Sequence, residues 1–152
     1  MNKCLCGIVV VVLVLAICSA GFAQDEYRTM VEDSKLTHLK AMQTINSMVV
    51  EIHDLYSDQP EFLATFDASQ KAWEKYQRLH IQALYPEGRE NYGSSFNLCG
   101  PMESLRLAKE RINLIKQWII GTIEGDVCCG TIRWVSVEEY EKATGQEIPT
   151  TD

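Results

Sequence analysis

The sequence predicts an all-α protein: an antiparallel bundle of three main helices with a short C-terminal extended piece and a small helix. Three observations predict it. Apolar residues recur every three or four positions through three long stretches. Helix punctuation separates those stretches at SDQP and at GPMES. Beyond Gly125 the composition shifts, and the segment SVEEYEKATG carries the marks of one short helix.

The first 23 residues read as an export leader. One Lys (Lys3) precedes an apolar run from Ile8 to Ile17, and Gly21 and Ala23 occupy the −3 and −1 positions of a cleavage site. Cleavage after Ala23 is the leading expectation, giving an exported protein (periplasmic or extracellular). Lipidation at Cys18 is one rival, although Ile17 fits poorly where a small residue is wanted. An uncleaved anchor over Leu5–Ala23 is another, since that stretch approaches bilayer length. The division expected is therefore 1–23 leader, 24–125 helical domain and 126–152 C-terminal appendage.

The first stretch, from about Asp25 to Tyr56, places Leu39, Met42, Ile45, Val49, Ile52 and Tyr56 on one face. The second opens at SDQP, where Asp58 and Glu61 suggest a cap and Pro60 suits a first turn. It carries Phe62, Phe66, Trp73, Tyr76, His80 and Ala83 on one side and stops before Pro86. The third is expected to open with Pro101 in its first turn. It carries Met102, Leu105, Ala108, Ile112, Ile115 and Ile119 towards Gly121 or Gly125. Between them YPEGRENYGSSFNLCG, residues 85–100, shows neither period and reads as a long loop. In the appendage TIRWV reads as extended. Ser136 with Glu139 forms a capping box, Val135 with Tyr140 a hydrophobic staple, and Gly145 fits the C-cap.

The charge excludes some functions. The chain has 14 Lys+Arg and 21 Asp+Glu, a net of −7; losing Lys3 with the leader leaves 13 against 21, a net of −8. Nucleic acid needs a basic face, and none is present. A cationic protein partner would be drawn to such a surface. Membrane contact is expected only through Cys18 lipidation or an uncleaved leader. Of six cysteines, Cys4, Cys6 and Cys18 fall in the leader, so Cys99, Cys128 and Cys129 remain. A helix from Pro101 to Gly121 separates Cys99 from the tail by roughly 30 Å. The seven residues back to Cys128 span at most roughly 24 Å, so a Cys99–Cys128 bond needs an early helix end. A Cys128–Cys129 bond closes a strained ring, and pairing between chains is a further outlet.

No catalytic constellation emerges. His38, His53 and His80 sit apart, outside any metal-protease spacing, and read as hydrogen-bonded packing residues. No nucleophile stands beside a base, and no glycine-rich phosphate loop or haem motif occurs. No cofactor and no metal site is expected, and the chain does not read as an enzyme. Cys128, Cys129 and Cys99 as a soft-metal set is the weakest of the readings considered.

SQKAWEKYQRLH, residues 69–80, concentrates two aromatics on the second helix. Each can bury on the order of 150–250 Å², so the residues alone give Trp73 and Tyr76 a core role, with Gln70 or His80 as hydrogen-bond partners. On the far face Glu74 and Arg78 form an (i, i+4) pair of favourable order. The order Gln70–Trp73–Tyr76 resembles the signature of the lysozyme-inhibitor LprI family of exported bacterial proteins (the LprI-like N-terminal domain). That signature is a Gln-x-x-Trp-x-x-Tyr-Arg run; here Gln77 replaces its Arg, with Arg78 one place on. Asn46, Gly93–Ser94 and Arg111 match further family positions, so the likeness covers roughly residues 30–120. Family cysteines would fall at Ile81 and Glu103, and both are missing.

The resemblance implies a non-catalytic binding protein that inhibits a lysozyme, with a cationic lysozyme as partner. On it, the 85–99 loop supplies the contacts Glu87, Glu90, Tyr92, Ser94 and Ser95; the plain alternative is a connector in which Gly93 turns and Ser94 caps. A reading from another class makes the chain an envelope interaction module contacting its partner through TIRWVSVEEY, with Trp134 and Tyr140.

Overall fold

A computed structural model describes residues 2–125 and 128–148, with side chains from residue 24 onward. The leader side chains, with Cys4, Cys6, Cys18 and the Ala23 cleavage site, lie outside the described residues. Three long helices form the body: α1 (Asn2–Leu55), α2 (Pro60–Leu84) and α3 (Arg89–Ile120). Two short strands, β1 (Thr122–Ile123) and β2 (Trp134–Val135), precede a last helix, α4 (Val137–Thr144). The all-α bundle expected from the periodicity is what forms. Among the described residues no helix is long and apolar enough to cross a membrane.

Successive long helices are antiparallel, so α1 and α3 run parallel and share the most extensive backbone contact. The core gathers Ala41, Ile45, Ile52 and Tyr56 from α1, Phe66 from α2, and Ala108 and Ile115 from α3. Trp73, Phe62, Met42, Val49, Leu105, Ile112, Trp118 and Ile119 pack around it. Phe62 lies between Tyr56 (ring centroids 4.5 Å apart) and Phe66 (5.9 Å), and Trp118 meets Phe66 edge-on at 5.9 Å. These offset geometries suit the ring quadrupoles.

Several positional expectations fail at the edges of the faces. Leu39, Met102, Ala83 and Tyr76 are exposed. On α2 the inward line runs Phe66, Gln70, Trp73, Gln77; at 100° per residue Tyr76 stands about 80° from Phe66 and turns outward. It is 51% exposed and lies beside the His80 ring, 5.6 Å between centroids. Trp73 is half-buried against the core, so the two aromatics that seemed equivalent in sequence part company. Asp58 does not cap α2: Gln59 is the N-cap, without a side-chain cap, while Pro60 does occupy the first turn.

The expected 85–100 loop is mostly helix. A turn at Tyr85–Gly88 leads into α3 at Arg89, and the helix breaks at Gly93 (φ 53°, ψ −132°) before continuing past Pro101. Pro101 is therefore inside α3, not in its first turn. A small aromatic group explains the gain: Tyr85 packs edge-on against Tyr92 (5.1 Å) and Phe96 (4.9 Å), and the Arg89 guanidinium lies 5.6 Å from the Phe96 centroid. Gly93 takes up a backbone conformation that a Cβ would oppose. Its neighbour Ser94 accepts, through its carbonyl, a 2.5 Å hydrogen bond from the Tyr27 hydroxyl of α1.

The appendage is joined to the other end of the bundle. β1 and β2 pair in parallel, Thr122 with Trp134 and Ile123 with Val135. Arg133 donates its guanidinium to the carbonyls of Ile119 (2.9 and 3.2 Å) and Ile120 (3.3 Å), the last turn of α3. Those carbonyls lack helical partners and sit at the negative end of the helix dipole, so a cation fits there. The Arg133 N–H donates to the Tyr56 hydroxyl (3.1 Å), which donates in turn to the Trp118 carbonyl (2.9 Å). Burial pushes the Tyr56 phenol up from its ordinary value. α4 forms as its sequence predicts, with the Ser136–Glu139 capping box and a left-handed Gly145 C-cap.

Candidate functional site

The residues singled out in the sequence divide into a buried pair and an exposed corner. The pair is Gln70 with Arg111. Arg111 Nε donates to Gln70 Oε1 at 3.0 Å, and its Nη2 reaches Ser69 Oγ at 3.4 Å. Its guanidinium also lies 5.8 Å from the Phe66 ring centroid. Gln70 passes the contact on, its amide donating to Glu74 Oε1 at 3.3 Å. Arg111 is only 6% exposed, and among the described residues no carboxylate stands within ion-pair distance of it. Burial lowers its pKa. A buried guanidinium held by neutral acceptors and a ring face fixes the α2–α3 register, because any slip would strand the charge.

Those bonds also answer which partners Gln70 and His80 take. Neither serves Tyr76 or Trp73 as the sequence suggested: Gln70 is committed to Arg111 and Glu74, and His80 Nε2 lies 2.8 Å from Glu103 Oε1. Glu74 correspondingly takes its hydrogen bond from Gln70, on the side towards the bundle. Asn46 is exposed on α1.

His80 belongs to a chain of polar side chains along one edge. Arg106 donates from Nε (2.9 Å) and Nη2 (2.7 Å) to the two Glu103 oxygens and also contacts Glu110. Arg106, then His80, hold the Glu103 carboxyl down at about 2. Gln77 adds a bond from its amide to the Ser104 carbonyl at 3.2 Å. The positions where the family resemblance would put a cysteine pair, 81 and 103, thus lie where α2 and α3 adjoin, and here the neighbouring His80 joins Glu103 by a hydrogen bond. His53 likewise pairs with Asp67 across α1 and α2 at 2.8 Å. The expectation of hydrogen-bonded histidines fails only for His38: its Nε2 is buried without a partner, and burial pushes its pKa down.

The exposed corner is the α2–α3 turn. Glu87, Glu90, Ser94 and Ser95 are exposed, and Tyr92 is half-buried against Tyr85. Glu90 folds its carboxylate back over Gly88 at the start of α3, the positive end of that helix. Asn91 donates from its side chain to the Glu87 carbonyl at 2.5 Å, closing the turn. Beside it, Leu84, Tyr85, Cys99, Met102, Glu103 and Arg106 line an open groove of about 420 Å³. The corner carries Glu87 and Glu90, with Arg89 between them, over the Tyr85–Tyr92–Phe96 rings.

At the opposite end Trp134 is 61% exposed and lines a groove of about 470 Å³ with Ile123, Val135, Val137, Glu124 and Glu139. Its indole N–H donates to Cys129 Sγ at 3.2 Å. Tyr140 is half-buried. Among the described residues no three His, Cys, Asp or Glu converge in a way that could hold a metal ion. Sequence reasoning missed the Arg133 clamp and the Tyr85–Tyr92–Phe96 group. The (i, i+4) spacing of Tyr92 and Phe96 was the available signal for the latter.

What fold and site define together is a small acidic helical-bundle protein with an exposed groove at either end. No family model matches the chain, and neither a curated protein nor a solved structure matches it.

Proposed function

We propose that the chain is an exported, non-catalytic binding protein that presents the α2–α3 turn to a cationic protein partner. The observation that supports this most is the acidic turn itself. Glu87 and Glu90 stand on a backbone already ordered by Tyr85, Tyr92, Phe96 and the Tyr27–Ser94 bond. A surface ordered beforehand loses less entropy on binding than a mobile loop. The net charge of −7 adds long-range attraction to a basic partner. The likeness to the LprI signature makes a lysozyme the first partner to test, the short helix after Gly88 replacing the extended loop as the inserting element. Titrating the protein into a cell-wall lysis assay with a cationic lysozyme should abolish lysis near equimolar ratio. Glu87→Lys with Glu90→Lys should weaken that effect at least tenfold while leaving the helical circular dichroism unchanged. Undiminished lysis at large molar excess would end the inhibitor reading.

A second reading has its own support. Trp134, exposed beside Ile123 and Val137, suits an interaction module that docks through the appendage. Light scattering separates the two readings: self-association that Trp134→Ala abolishes favours the module.

A further inference from the structure

We propose that Cys128 and Cys129 form a redox-active vicinal dithiol whose oxidation removes the thiol that anchors the Trp134 indole. The three cysteines with described side chains are thiols, not disulfides, and they divide between the two ends of the bundle. Cys99 lies on α3 in the groove beside Leu84 and Tyr85. Cys129 lies past the far end of the same helix, in contact with Trp134. From Cys99 to Ile120 the helix spans roughly 30 Å at 1.5 Å per residue, far beyond the ~7 Å Cα limit for a disulfide. Among the three cysteines with described side chains, Cys128 and Cys129 can therefore bond within one chain only to each other.

The local structure gives the two thiols different parts. Cys128 is exposed. Cys129 is half-buried and held at both ends: its carbonyl accepts from Ile132 N–H at 3.1 Å, and its sulfur accepts from the Trp134 indole. The clamp of Arg133 on Ile119 and Ile120 fixes that indole's own strand in place. Oxidation then proceeds by thiol–disulfide exchange with a small-molecule disulfide. The Cys128 thiolate attacks one sulfur of the oxidant, forming a mixed disulfide and releasing one thiolate. The Cys129 thiolate attacks the Cys128 sulfur, closing the Cys128–Cys129 bond and releasing the second. The chain gives up two electrons and two protons, and the oxidant becomes two thiols.

The ring so formed is a switch and not a staple. Adjacent Cα atoms are about 3.8 Å apart across a trans peptide, inside the ~4.4 Å lower end of ordinary disulfides. Strain of that kind raises the reduction potential, so the bond is readily undone. Its readout is surface shape: the Cys129 sulfur that held Trp134 turns towards Cys128, and the wall of the Ile123–Val137 groove loses its anchor.

The test equilibrates the full-length chain against graded ratios of oxidised to reduced glutathione, followed by alkylation and peptide mapping of every cysteine. Cys128 and Cys129 should leave the alkylated pool together, in one peptide of a monomeric chain lighter by two hydrogens, while Cys99 stays reactive. Indole emission should shift over the same ratios, and the shift should vanish in Trp134→Phe. Cys129→Ser should halt at a glutathione adduct on Cys128. The proposal is overturned if Cys128 ends as an adduct in the unaltered chain, if the two cysteines bridge chains, or if the closed ring leaves the emission of Trp134 unchanged.

Discussion

The two ends of the bundle are secured by different physics. At the α1–α2 turn, Tyr56, Phe62, Phe66 and Trp118 pack ring on ring, and the Tyr56 hydroxyl joins the Trp118 carbonyl to the Arg133 N–H out of water. At the α2–α3 turn the ties are a half-buried aromatic triplet, a glycine break and the hydrogen-bonded chain His80–Glu103–Arg106–Glu110. Buried apolar contact is worth far more than exposed ion pairs. Stability is thus concentrated at the first end, and the second is left to shape and charge, which a binding surface needs.

The largest test of that contrast is Ile115→Ala. Ile115 is fully buried in the central cluster, so its loss should cost about 2–5 kcal/mol in urea unfolding. An equal truncation at Met102, exposed at the other end, should stay within about 0.5 kcal/mol. Comparable losses would erase the distinction between the ends.

Next comes Tyr56→Phe, which keeps the ring and deletes the hydroxyl that accepts from Arg133 and donates to Trp118. Leaving those backbone groups without it should cost about 1–3 kcal/mol. Hydrogen exchange should report the loss first at Arg133 and β2, ahead of the helices. Gly121→Ala should act in the same region, since a Cβ there would meet the Arg133 carbonyl and Val135 Cγ1 at 2.8 Å, with φ already at +90°. At the other end Gly93→Ala should cost about 1–3 kcal/mol through backbone strain alone, no atom lying within 4 Å of the new Cβ. If Gly93→Ala proves neutral, the break in α3 is not the fixed feature on which the acidic corner depends.

How far the sequence could be read follows the same division. Ile45, Ile52, Ile112 and Ile115 betrayed their helices because burial on one face imposes the 3.6-residue period. The Ser136–Glu139 box and Gly145 marked α4 to the residue, since capping is local chemistry. Residues 85–100 misled because Gly, Ser and Asn mask an aromatic packing that three rings create only when folded. Tyr76 and Trp73 looked alike because a three-residue step leaves about 60° between them, enough to separate core from water. Arg111 and Gln70 were both picked out, yet nothing in one chain's letters says they bond to each other. Arg133 was unreadable, because its role depends on where α3 stops.

The smallest effect belongs to Glu103, and it turns on the sign of a titration. Arg106 and His80 hold its carboxyl down from 4.5 to about 2, so the folded state favours the charged form. The stability this contributes is complete above pH 4.5 and drains away as the pH falls through that window towards about 2. Glu103→Gln should therefore cost under about 1 kcal/mol at neutral pH, because Arg106 is half exposed and solvent screens the pair. It should also flatten the acid limb of the stability profile between those two pH values, measured by urea unfolding. Asp67→Asn, which cuts the α1–α2 tie to His53, should cost no more at neutral pH than Glu103→Gln. A steeper loss on Asp67→Asn than on Glu103→Gln would move the charge-held end of the molecule from the α2–α3 turn to the middle of the bundle.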